Sequence, residues 1–171
     1  MHLSDETSQK IIHSCKVIQL IIPVLAISSV VFLGIVFSDF VGPITLNERP
    51  NRESLFLAGM AFFTATGVAP YFQRIVLASG EQHNTADQHA VSAAKKIQGV
   101  VIAACVVLVL AAYANIAAFR TTKDAVNLLV VGFLLVAILS RIPTQTAFRH
   151  QIDEFGGQRL GHPDRARHLS K

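Results

Sequence analysis

Four stretches of the chain carry no charged side chain and are almost wholly apolar: 17–37, 54–73, 97–119 and 125–140. About 20 residues of helix cross a hydrocarbon core roughly 30 Å thick, and each of the first three runs is at least that long. The fourth is shorter and stops at Arg141, but apolar residues recur beyond it at Ile142 and Phe148, and a long arginine near a helix end reaches back to the polar interface. Lipid offers no partner for backbone N–H and C=O groups, so such runs are helical. No stretch alternates apolar and polar residues with period two, which argues against a barrel of strands. The expected fold is all-α: an integral membrane four-helix bundle occupying 1–157, with spans at about 17–37, 54–78, 97–119 and 125–148. A cleaved signal peptide is the main rival for the first run, but that run is longer than the apolar core of a signal sequence.

Composition supports the segregation more than it announces it. Hydrophobic residues make up 51% of the 171, close to a soluble protein, while charged residues make up only 15% against a usual share of about 25%. The balance excludes disordered, collagen-like and disulfide-stapled chains. With four spans, one side of the membrane holds the N-terminus, the 74–96 connection and the C-terminal tail. Eleven of the fifteen basic residues fall on that side: Lys10, Lys16, Arg74, Lys95, Lys96, Arg141, Arg149, Arg159, Arg165, Arg167 and Lys171. Arg49, Arg52, Arg120 and Lys123 fall on the other. The positive-inside rule then puts both termini in the cytoplasm, with a cytoplasmic (inner) membrane as the expected location.

On that side the helices are expected to overshoot the bilayer. Thr85 followed by Gln88 is a capping-box pattern, so the third helix is expected to begin near Ala86 and run to Phe119, roughly 50 Å at 1.5 Å per residue. Its projecting turns are amphipathic, with Ala86, Ala90, Ala93 or Ala94 and Ile97 on one face and Asp87, Gln88, Ser92, Lys95 and Lys96 around the other. The fourth helix is expected to kink at Pro143 and to carry Phe148, Ile152 and Phe155 on one face before stopping at Gly156-Gly157. Ser4 is placed to cap the first helix ahead of Asp5 and Glu6. Residues 158–171 form a basic tail expected to be disordered, whose Arg159, Arg165, Arg167 and Lys171 offer contact to anionic lipids.

Within the runs, Ala61, Ala65 and Ala69 recur every fourth residue beside Gly59 and Gly67, and Gly99 with Ala103 forms another small pair. Small residues let helix backbones approach closely, within one chain or between the copies of a homo-oligomer. Pro23 and Pro70 lie inside spans and predict local kinks. Transporters and intramembrane enzymes generally place Asp, Glu, His, Lys or Arg within a span, and none of the four runs has one. Gln19, Ser28, Ser29, Thr64, Thr66 and Asn115 read as helix-to-helix hydrogen-bonding residues.

All seven histidines, His2, His13, His83, His89, His150, His162 and His168, fall on the cytoplasmic side. Only His13 and His150 are placed to meet as haem ligands, and the six-residue spacings of His83 with His89 and His162 with His168 do not align ligands on one helix face. Cys15 near the membrane boundary and Cys105 at mid-span differ in depth and read as unpaired; Cys15 is a weak candidate for palmitoylation. Phosphate-loop, Gly-x-Ser-x-Gly and His-Glu-x-x-His motifs are absent. No catalytic, cofactor-binding or metal residue is therefore expected, and no enzyme. Without interleaved aromatics the basic tail gives no reason to expect nucleic acid as a partner.

The sequence Pro70-Tyr71-Phe72-Gln73 to Leu77, then Thr85-Ala86-Asp87 and Ala90-Val91-x-x-Ala94-Lys95-Lys96-Ile97, resembles a family of small four-span bacterial membrane proteins known as domain of unknown function 2975. The resemblance covers Pro70 to Ala118 and departs where that family shows a phenylalanine before the hinge Ser or Thr, since Asn84 precedes Thr85 here. It implies four spans with both termini inside and no activity; encoding beside small helix-turn-helix regulators would imply a membrane-linked regulatory role. The residues as a whole lead to a non-enzymatic interaction or regulatory membrane protein that meets a protein partner through its cytoplasmic helical layer. The alternatives are a small oligomeric channel or transporter joined through Ala61, Ala65 and Ala69, and a haem-binding subunit.

Overall fold

The computed structural model describes residues 4–38, 51–68, 71 and 86–160, with side-chain surroundings as far as 152 except at 68, 86 and 89. The described residues form five α-helices and no strand: α1 (Asp5–Ser38), α2 (Arg52–Phe63), α3 (Ala86–Thr122), α4 (Ala125–Leu139) and α5 (Gln145–Leu160). A π-helical turn, Thr64–Val68, continues α2. Two helices are long and apolar enough to cross a membrane, α1 with 34 residues and the 33 residues Ala90–Thr122 of α3; α4 is a shorter apolar helix of 15. Ala69, Pro70 and Thr85, on which parts of the small-residue, kink and capping readings rest, lie outside the described residues.

The third helix is described from Ala86 onward and runs three residues past Phe119 to Thr122. The capping of α1 by Ser4 is present: the Thr7 N–H donates to Ser4 Oγ at 3.3 Å. α1 continues through Pro23 to Ser38 without a break.

The region expected to form one kinked fourth helix is instead two helices. α4 ends at Leu139, Ser140 and Arg141 turn, and α5 starts afresh at Gln145. Pro143 has no N–H to give and its ring disfavours helical backbone at Ile142. Thr144 then caps the new helix, its Oγ1 accepting from the Ala147 N–H at 3.2 Å and its carbonyl from the Phe148 N–H at 2.9 Å. Gly156-Gly157, expected to stop the helix, is passed, and α5 runs on to Leu160.

Cross-helix contacts fix the relative directions. Thr7 lines a groove with Val91, Ser28 receives a hydrogen bond from Tyr113, and Phe37 stacks on Phe119, so α1 and α3 run parallel with a nearly constant offset in residue number. Ser54 meets Asn127 and Phe62 stacks on Phe133, so α2 and α4 are likewise parallel. The tight Lys123-Asp124 connection makes α4 antiparallel to α3. α3 is the central helix, touching α1, α2, α4 and α5. At the lower end of the molecule, where α1 and α3 begin, α5 crosses back over the start of α1, with Arg149 Nη2 3.4 Å from Ser8 Oγ.

Each face of α1 is apolar, but for different neighbours. Ile11, Cys15, Ile18, Ile22 and Ala26, spaced by three or four, are buried against the other helices. Leu20, Val24, Ile27, Val31 and Ile35 form a second stripe that is more than half exposed. The same holds at Phe56, Met60 and Phe63 on α2 and at Leu129 and Val136 on α4, with Leu129 exposed by 72%. A chain folding in water turns such residues inward. Here Asp124 and Asn127, at 1% and 0% exposure, are inside with Leu108, Leu134, Phe119 and Phe148, while Leu20, Phe56, Phe63 and Leu129 are outside.

Candidate functional site

Two places gather polar side chains. The first is a buried junction at the upper end, where α2 and α4 begin and α3 ends. Lys123 closes α3 in the left-handed region at φ 55°, its N–H bonding the Phe119 carbonyl at 2.8 Å, the geometry of a helix C-terminal cap. Asp124 follows as N-cap of α4: Oδ1 accepts from the Val126 N–H at 3.1 Å and Oδ2 from the Asn51 N–H at 3.2 Å. Asn127 Nδ2 donates to Ser54 Oγ and to Thr122 Oγ1, each at 3.1 Å. One aspartate and one asparagine thus tie three helix ends together. Asn127 Oδ1 is buried with no hydrogen-bond partner, as is Asn115 Oδ1 further along α3. Neither Asp124 nor Asn127 is singled out from the sequence. An Asp directly before an apolar run is an N-cap signal that could have found the first half of the junction.

The second place is the lower end. The apolar faces expected there exist, and they face one another. Ala94 and Ile97 of α3, Ile11 and Cys15 of α1, and Phe148 and Ile152 of α5 are all at most 4% exposed and belong to one core. Ala90 packs beside them. The side chain of Phe155, the third member of the α5 stripe, lies outside the described surroundings. The apolar stripes of the layer are therefore consumed within the chain, and what remains outward is polar.

That outward surface includes an open groove of about 620 Å³ between the first turns of α1 and α3, lined by Thr7, Lys10, Asp87, Gln88, Val91, Ser92, Lys95 and Lys96. Lys10 pairs with Glu6 one turn earlier, Nζ to Oε1 2.6 Å, with both side chains exposed. The hydrogen bond from Lys10, reinforced by its charge, holds the Glu6 carboxyl below the usual carboxylate range.

Gln19 bonds across helices as expected, Nε2 to the Pro143 carbonyl at 2.9 Å, anchoring α1 to the break before α5. Ser28 accepts from Tyr113 Oη at 2.8 Å, the one cross-helix bond among the serines and threonines named for that role. Ser29, Thr64, Thr66 and Asn115 bond carbonyls of their own helices instead, because a hydroxyl or amide three or four residues along reaches a local carbonyl first. Ala61 is 2% exposed in the main core with Ala65 packed beside it, so this part of the stripe serves contacts within the chain. Gly99 and Ala103 face outward. Cys15 is 1% exposed, leaving palmitoylation no accessible thiol; Cys105 is buried in the same core. His13 and His150 are both exposed, and among the described residues no group of three or more His, Cys, Asp or Glu could hold a metal ion. No family model, no curated protein and no solved structure matches the chain.

Proposed function

We propose that the chain is a multi-pass protein of a bacterial cytoplasmic membrane, both termini cytoplasmic, that acts without catalysis as an interaction or regulatory protein. The observation that carries the membrane half is the inverted surface: Leu20, Phe56, Leu129 and Val136 are each about two-thirds exposed or more, while Asp124, Asn127 and Ser54 are buried. Lipid stabilises that arrangement and water does not. The four runs then serve as spans, with α2 and α4 completing the crossings that α1 and α3 have the length to make alone.

The interaction half rests on the lower end. α1, α3 and α5 pack there into a small helical layer whose apolar faces are satisfied, leaving the polar sides of Gln88, Lys95 and Gln151 as contact surface. A partner meeting such a face is recognised by charge and hydrogen bonds more than by apolar burial. A photo-crosslinking residue placed at Gln88 or Gln151 should capture one or a few discrete soluble proteins in cells. Adducts to lipid alone would remove the protein-partner reading. The channel reading is weaker because Ala61 and Ala65, its proposed contact, are turned to the chain's own core. The haem reading is weaker because His13 and His150 are exposed side chains instead of a facing pair within the core.

A further inference from the structure

We propose that the groove between α1 and α3 is a seat for the phosphate of an anionic lipid headgroup, held by Lys95 and Lys96 with Ser92 and Thr7 beside them. The inference rests on the membrane placement proposed above and goes beyond the tail as the lipid contact. Three observations carry it. The groove is a concave, polar space of about 620 Å³ with three lysines in its lining. Its charge is graded along α3: Lys95 and Lys96 immediately precede the uncharged run that starts at Ile97, whereas Asp87 lies eight residues earlier, about 12 Å further from the bilayer. Lys10, on the α1 wall, is paired with Glu6 one turn earlier. On α3, Lys95 and Lys96 are thus nearest the level where lipid phosphates lie, and Asp87 is set away from it. Ser92 and Thr7 add hydroxyls that can donate to a phosphate oxygen, and the groove is open to its surroundings, so a headgroup can enter without displacing the packed core formed by Ala94 and Ile97.

The shared chemistry is a phosphate oxygen, and the lipid is the source committed to because the lysines stand at the membrane boundary. The full-length protein, purified in mild detergent, is assayed for thermal stabilisation and for retained lipid by native mass spectrometry. The probes are phosphatidylglycerol, phosphatidylcholine and inorganic phosphate. Phosphatidylglycerol should be retained and should raise the melting temperature, and the other two should not. The double variant Lys95→Gln with Lys96→Gln should bind phosphatidylglycerol about tenfold more weakly or worse, given about 1 kcal/mol per basic residue at an anionic surface. Arg165→Gln with Arg167→Gln in the tail should bind as the unaltered protein does. If the lysine variant folds poorly, Ser92→Glu puts a negative charge in the same groove while leaving both lysines intact, and should cause the same loss. Equal binding by the groove variants, or equal stabilisation by inorganic phosphate, would overturn the proposal. An acidic peptide competing as well as the lipid would overturn it in favour of a protein occupant. Release of the chain from membranes by alkaline carbonate would instead overturn the membrane placement itself.

Discussion

At the scale of single residues, the side chains that matter most are the polar ones shut inside. Asp124 caps α4 and also receives the backbone N–H of Asn51, so Asp124→Ala removes a cap and a link to α2 together. A cap alone is worth about 0.5–2 kcal/mol, and the expected loss in thermal or denaturant unfolding of the detergent-solubilised protein is about 2 kcal/mol. Asp124→Asn keeps an acceptor oxygen and should lose distinctly less. Gln19→Ala strands the Pro143 carbonyl and should cost about 1 kcal/mol, in the range of cross-helix hydrogen bonds in membranes. The exposed Glu6–Lys10 pair is the opposite case. A carboxyl whose pKa is lowered on folding contributes stability above its unfolded pKa and loses it as pH falls through the lowered folded value. With both partners exposed that contribution is screened, so Glu6→Gln should leave the melting temperature at neutral pH unchanged, and only the acid limb should differ slightly. The capping of α1 by Ser4 was legible in the sequence, because it follows from local spacing. The partners of Asn127 were not, because Ser54 is distant in sequence and only the parallel alignment of α2 with α4 brings it within reach.

At the scale of elements, the long helices were legible and the last one was not. An uncharged run of membrane-crossing length leaves the backbone few alternatives, and α3 carries the run from Ile97 to Phe119 unbroken. The split of α4 from α5 turns on whether proline bends a helix or ends it, which depends on who satisfies the freed carbonyl. Here the Leu139 carbonyl, four residues before the proline, accepts from the Ile142 N–H at 3.1 Å, Gln19 takes the Pro143 carbonyl and Thr144 opens a new helix, so the break is stabilised on both sides. Continuation past Gly156-Gly157 was not legible because a paired glycine weakens a helix without forbidding it. The stripe Phe148/Ile152 was legible as an apolar face, but its partner was not: it packs on Ile97 and Cys15 instead of awaiting another protein. Phe148, 1% exposed, is the largest side chain α5 puts into that core. Phe148→Ala should destabilise the packing of α5 by about 3 kcal/mol or more. Limited proteolysis should then cut at Arg141 or Arg149 while the fragment containing α1 to α4 stays intact; cleavage no faster than in the unaltered protein would contradict this docking.

At the scale of the whole molecule, large apolar side chains lie on the outside as well as in the core. Apolar residues cover both faces of α1, but among the described residues only one face is buried against protein neighbours. A soluble protein with the outer stripe of Leu20, Val24, Ile27, Val31 and Ile35 would carry a long apolar patch into water. The parallel pairing of α1 with α3 and of α2 with α4 requires the chain to cross the length of the molecule between them, the alternation that repeated spanning produces. Positive charge gathers at the lower end through Lys10, Lys16, Lys95, Lys96 and Arg149, where α1, α3 and α5 meet. The most direct test is the sidedness of single introduced thiols in intact cells. Asp5→Cys, Thr121→Cys and Gln151→Cys each occupy an exposed position, and the native cysteines are buried. A membrane-impermeant maleimide applied from outside should label Thr121→Cys and spare Asp5→Cys and Gln151→Cys until the inner membrane is opened. Labelling of all three alike would contradict a chain that spans the bilayer with both ends of the described helices on one side.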